Sequence, residues 1–167
     1  DDISIVANVI VDNSPPVVVS ATVSGANLID IIYNEQVTNS AESINNYFLS
    51  GGNDEPLIVI NNSNVYQLMF NTPFSSGLTY SLNISNIEDL SNNFLTTSIG
   101  IIVPDTALEG EIIVNEILFD PYTGGSDFVE LYNNSEKNID LYGYMIADYD
   151  QGIDNFKNIE AHFILEP

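Results

Sequence analysis

Thr79-Tyr80-Ser81-Leu82-Asn83-Ile84-Ser85 decides the fold class: Tyr80, Leu82 and Ile84 alternate with Thr79, Ser81, Asn83 and Ser85. A period of two puts the apolar set on one face of an extended chain and the polar set on the other, the pattern of a half-buried strand. The same period recurs on both sides. Val17, Val19, Ala21 and Val23 alternate, Leu28 to Tyr33 is apolar except for Asp30, and Tyr47-Phe48-Leu49 and Val65 to Phe70 read as further strands. No 3.6-residue period persists beyond a turn or two, so the chain is expected to be all-β.

The ends are read against that centre. Ile3, Ile5, Ala7, Val9 and Val11 predict a strand before the Asp12-Asn13-Ser14-Pro15-Pro16 break. It has no local hairpin partner, so residues 1–13 read as a strand of a preceding domain or a linker. Towards the other end, Val114-Asn115-Glu116-Ile117, Asp120-Pro121, Asp127-Phe128-Val129-Glu130-Leu131-Tyr132-Asn133 and Asp140-Leu141-Tyr142-Gly143-Tyr144 form a second β-rich run. Pro104 to Gly110 separates the two runs and is too short to be a floppy connection.

Composition narrows the function. There are 24 acidic residues against two lysines, Lys137 and Lys157, and a formal net charge of −22. Phosphate recognition depends on Lys and Arg displacing counterions, so nucleic acid is excluded as a partner, and anionic membrane surfaces are disfavoured. A field this negative suits an ion-rich exterior, and serves either solubility or cation binding. With 44% hydrophobic residues, nine Tyr and eight Phe, the chain folds. The lack of cysteine removes disulfides and thiolate metal sites. No apolar run is long enough for a membrane helix, so membrane insertion is not expected.

Two resemblances follow from these landmarks. Residues 110–167 resemble a lamin tail domain of the bacterial secreted kind, in which a strand ending in Asn-Glu, a Gly-rich turn, a Val-Glu-Leu-Tyr-Asn strand and an Asp-Leu-x-Gly-aromatic turn build one face of an immunoglobulin-like sandwich. Residues 14–104 resemble the bacterial Ig-like domain of the SbsA type. The carriers there are Tyr33-Asn34-Glu35-Gln36-Val37, Asn46-Tyr47, Tyr80-Ser81-Leu82 and Asp89-Leu90-Ser91-Asn92-Asn93, with Asn92 where that family often has Gly. The resemblances imply immunoglobulin-like β-sandwich modules in tandem, joined by residues 105–109, with the second incomplete. A half sandwich is expected to leave an apolar sheet face and an unpaired edge.

Candidate sites are few. The single His162 has no nucleophile motif near it, and acidic pairs arise by chance among 24 carboxylates, so no enzyme is expected. Hard cations want clustered oxygens on loops, and Asp148, Asp150 and Asp154 stand at positions one, three and seven around Gly152, a calcium-like spacing without the EF-hand order. The plain alternative is a solvated acidic turn. Glu88, Asp89, Asn92 and Asn93 form a second oxygen-rich stretch, alternatively explained by Asn and Asp bonding their own backbone. Asn115, Glu116, Asp120, Asp127 and Glu130 are read as loop-orienting, and Tyr132, Tyr142, Tyr144 and Tyr149 as possible sugar platforms or cross-strand pairs. Asn61, Asn83 and Asn133 begin Asn-x-Ser sequons.

The resemblances therefore imply a non-catalytic structural, adhesion or spacer module of a larger bacterial protein, secreted or on the cell surface. Its partners would be neighbouring domains of the same protein or another surface protein. Two alternatives remain open: an accessory region of a secreted hydrolase, nuclease or phosphatase, whose catalytic domain lies elsewhere, and a carbohydrate-binding module.

Overall fold

The computed structural model describes residues 11–51, 55–119, 122–149 and 153–167. They form antiparallel sheets with only two short 3-10 turns, Asn39–Glu42 and Ile44–Asn46, so the fold is all-β. Two compact units divide the chain: residues 1–73 with 80–101, and residues 74–79 with 102–167. The chain thus crosses between units three times, and the second unit takes in a short segment from mid-sequence.

In the first unit, β1 (Val18–Gly25), β2 (Leu28–Tyr33), β5 (Val65–Met69) and β4 (Ile58–Asn62) lie side by side in that order. A second sheet orders β3 (Tyr47–Leu49), β6 (Thr79–Glu88) and β7 (Phe94–Ile102). The alternation read from sequence becomes burial. Ile29, Ile31, Tyr33, Tyr66 and Leu68 of one sheet and Tyr47, Leu49, Leu82, Ile84 and Ile101 of the other are buried. Each fully buried Leu or Ile contributes about 1.5–3 kcal/mol relative to an exposed one. Tyr33 and Tyr47, from different sheets, bring their hydroxyls within 3.1 Å, and the Tyr47 hydroxyl donates to the Ala41 carbonyl at 2.8 Å. Burial pushes the Tyr33 phenol up to about 12 and raises that of Tyr47 as well, so both stay neutral donors.

The second unit pairs β8 (Ile112–Leu118) with β9 (Phe128–Asn133), β10 (Ile139–Asp140) with β13 (Ile164–Leu165), and β11 (Met145–Tyr149) with β12 (Ile153–Asn158). Residues 105–109 are bonded into this unit. Asp105 bridges to Ile139 and its N–H donates to the Asn138 carbonyl at 2.8 Å, while the Ala107 N–H donates to the Tyr144 hydroxyl at 2.7 Å. Segment 74–79 is held in the same way: Gly77 N–H donates to Val103 O, Val103 N–H to Leu78 O, and Asn138 N–H to Gly77 O.

Candidate functional site

The turn between β6 and β7 is organised by Asp89, which is 1% exposed. Its Oδ1 accepts from the N–H groups of Ser91 and Asn93, and its Oδ2 from the Asn93 amide. Burial pushes this carboxyl up, yet the N–H donors of Asn93, Ser91 and Asn92 together outweigh it and hold the group below the ordinary aspartate value. Asn92 sits at φ 66°, a left-handed conformation that Asn tolerates better than most residues. Glu88 closes β6; its N–H donates to Ser40 Oγ and its carbonyl accepts from the Thr38 N–H.

One carboxylate oxygen from each of Asp12, Glu35 and Asp89 falls within 4.8 Å of the others. Among the described residues this is the group that could hold a cation. It gathers residues far apart in sequence, and Asp89 is its one member among the oxygen-rich stretch at 88–93. Asn93 ties the turn to the incoming chain through its amide, which donates to the Asp12 carbonyl at 3.3 Å.

The spacing at 148–154 lies on a hairpin. Asp148 in β11 and Asp154 in β12 are direct antiparallel partners, while Asp150 lies outside the described residues.

In the second unit, the motif residues hold backbone. Asn133, 2% exposed, donates from Nδ2 to the carbonyls of Lys137 and Leu165 at 2.6 and 2.9 Å, and accepts at Oδ1 from the Ser135 N–H and hydroxyl. Both ends of its amide are occupied, so this sequon is closed by burial, whereas Asn61 and Asn83 are exposed. Asn138, also buried, donates from Nδ2 to Gly77 O and Thr79 Oγ1. Lys137 reaches Glu111 at 2.8 Å and Asp105 at 3.5 Å. Its hydrogen bond to Glu111 raises the ammonium pKa, and the Leu108 N–H and then Lys137 lower that of Glu111. Asn115 donates to Glu130 across the β8–β9 pair. Asp127 is exposed, and Asp120 lies outside the described residues.

Asp140 shapes the turn that follows it. Its Oδ1 accepts from the Tyr142 N–H at 3.0 Å, and Oδ2 lies 2.6 Å from His162 Nδ1. Burial raises this carboxyl, but His162 and the Tyr142 and Phe163 N–H groups bring it below its ordinary value. His162 stacks on Tyr142 with ring centroids 4.4 Å apart. Gly143, at φ 81°, lets the chain reverse so that the Tyr144 N–H donates to the Leu141 carbonyl.

The β8–β9 register separates two faces. Val114 opposes Leu131 and Ile117 opposes Val129 on one; Ile113 opposes Tyr132, Glu116 opposes Glu130 and Leu118 opposes Phe128 on the other. The first face, which also carries the Ile112–Asn133 pair, is apolar apart from Asn133, yet Val114 and Ile117 are 55% and 58% exposed. It opens onto a cavity of about 450 Å³ whose lining also includes Leu108, Leu141, Met145 and Ile159. Tyr132 stands on the mixed face, whereas Tyr142 and Tyr144 line a cleft whose lining does not include it.

The fold and these contacts define a class: all-β units whose polar motif residues fasten loops and strand ends. Residues 105–167 match the family model described as Lamin Tail Domain. No curated protein matches the chain. Similar solved structures include the S-layer protein rSbsC(31-844), at 14% identity and TM-score 0.49 over 87% of this chain and 22% of that one. The N-terminal part of the bacterial S-layer protein SbsC gives 14% identity and 0.49 over 87% of this chain and 38% of that one. Surface layer protein SbsC, domains 1–6, gives 13% and 0.49 over 92% and 26%. This chain therefore spans well under half the length of each. No helix among the described residues is long and apolar enough to cross a membrane.

Proposed function

We propose that this chain is a non-catalytic structural module of a larger bacterial surface or secreted protein, acting as a spacer between neighbouring domains. The observation that carries the reading is the use made of the motif side chains in residues 110–148. Asn133, Asn138 and Asp140 fasten backbone segments, and Lys137 pairs with Glu111. A catalytic set needs a nucleophile or acid aimed at open space with its base in reach; these groups are aimed at their own loops. The negative charge keeps such a module soluble and discourages like modules from sticking together.

The test is a screen of the purified chain against phosphomonoester, phosphodiester, glycoside and peptide substrates, with and without added divalent cations. The account expects rates equal to buffer in every case. Turnover that survives purification and disappears in an Asp140→Asn or Asp89→Asn variant would overturn it.

A further inference from the structure

A cleft of about 280 Å³ in the second unit is lined by Pro104, Asp105, Thr106, Asp140, Tyr142 and Tyr144. Both of its walls are fixed before any ligand arrives. The 104–107 wall is held by the bond from Asp105 N–H to Asn138 O and by Ala107 N–H on the Tyr144 hydroxyl. The 140–144 wall is held by Tyr142 N–H on Asp140 and by the tight turn at Gly143. Asp140 N–H donates to the Asp105 carbonyl at 3.3 Å, joining the walls. Preformed concavities of this kind lose little entropy on binding.

The lining is chemically one-sided. It offers two phenol rings, two carboxylates and hydroxyls, and no Lys, Arg or His side chain. Asp105 Oδ1 accepts from the Thr106 N–H and its Oδ2 meets Lys137 at a loose 3.5 Å; Asp140 is engaged by the Tyr142 N–H at Oδ1, by His162 at Oδ2 and by the Phe163 N–H. A carboxylate has about four lone-pair sites, so acceptor capacity remains at both. A neutral sugar wants donors as well as acceptors from its site. A group that brings several N–H donors, a positive charge and a small apolar stem satisfies what is here, through charge-assisted bonds to the carboxylates and attraction to the phenol rings, of which Tyr142 already carries His162 on one face. The surrounding field, from a chain of net charge −22, concentrates cations in the same place.

We propose that this cleft binds an alkylammonium group, supplied by a free amine or by a lysine side chain of another protein. The test is an amide chemical-shift titration of the whole chain with butylammonium chloride, with Nα-acetyl-lysine amide, and with methyl glucoside, against sodium chloride at matched ionic strength. The expected result is saturable movement of the Asp105, Thr106, Tyr142 and Gly143 amides with butylammonium. Saturation by acetyl-lysine amide as well assigns the site to lysine side chains; saturation by butylammonium alone assigns it to free amines. Tyr142→Ala removes a 55% exposed ring, so the fold is kept, and is expected to weaken binding about two- to fivefold. Asp140→Asn keeps the shape, removes one charge and should weaken it as well. Shifts no larger than those from sodium, shifts unchanged in both variants, or saturation by methyl glucoside without butylammonium would each overturn the proposal.

Discussion

Replacing Asn133 should loosen the second unit more than any other single polar change in it. The side chain is 2% exposed and makes four hydrogen bonds, two donated to the carbonyls of Lys137 and Leu165 and two accepted from Ser135. In Asn133→Ala all four are lost. Neutral bonds are worth about 0.5–1.5 kcal/mol each, and such losses are not additive. Lys137 and Leu165 are only partly buried, so water recovers some of the deficit. A local destabilisation of about 2–4 kcal/mol follows. Asn133→Asp should be worse at neutral pH, because it keeps the acceptor and sets a carboxylate against two carbonyls. That carboxyl's pKa would be raised in the folded chain. The lost stability should therefore return as pH falls through the raised value, since the protonated acid can donate one bond again. Hydrogen exchange followed by mass spectrometry reads this locally. Amides at 135–140 and 164–165 should exchange at least about 30-fold faster in Asn133→Ala, the equivalent of about 2 kcal/mol, while Leu82 and Ile84 in the first unit keep their protection. Protection unchanged at 164–165, or lost equally in both units, would refute the assignment of Asn133 as the tie between β9 and β13.

Other changes have equally definite outcomes. Tyr47→Phe removes a buried hydroxyl bonded to Ala41 O and Tyr33, and should lower stability of the first unit by about 1–2 kcal/mol in urea unfolding, with an unchanged m value. The lowered pKa of Asp89 means that its contribution is present above the unfolded aspartate value of about 3.9 and is lost as pH falls through the lower folded value. Acid unfolding of Asp89→Asn should accordingly be less steep below about pH 4 than that of the parent. Asp12, Glu35 and Asp89 crowd three carboxylates together, so Glu35→Gln should raise the thermal midpoint at low ionic strength and make no difference in molar salt; an equal effect at both would point to packing instead.

The strands that face a core were readable because their alternation is strict: Ile29, Ile31 and Tyr33, or Tyr80, Leu82 and Ile84, go to one side and are buried there. β4 was hard to see because Ile58 and Ile60 remain exposed at an edge, and β7 because Thr96, Thr97, Ser98 and Gly100 dilute its pattern. Local turn chemistry was legible too, since Asp89 and Asn93 bond within their own loop as their spacing suggested. Contacts across long sequence separations were not. Nothing in the composition near Asn138 signals that its amide will hold Gly77 and Thr79, some 60 positions earlier, and nothing near Asp89 signals Asp12 or Glu35. The pairing of Asp148 with Asp154 was likewise not legible from their spacing around Gly152, because it depends on strand register, which spacing alone does not encode.

The spacer reading is tested most directly by display. One copy or three copies of the chain, placed between a surface anchor and an epitope on a bacterium, should change how well a bulky antibody reaches that epitope. The account predicts access that rises with copy number and falls back when unfolding Leu82→Asp variants replace the modules. Access that does not depend on copy number, or that is the same for folded and unfolded inserts, would contradict it.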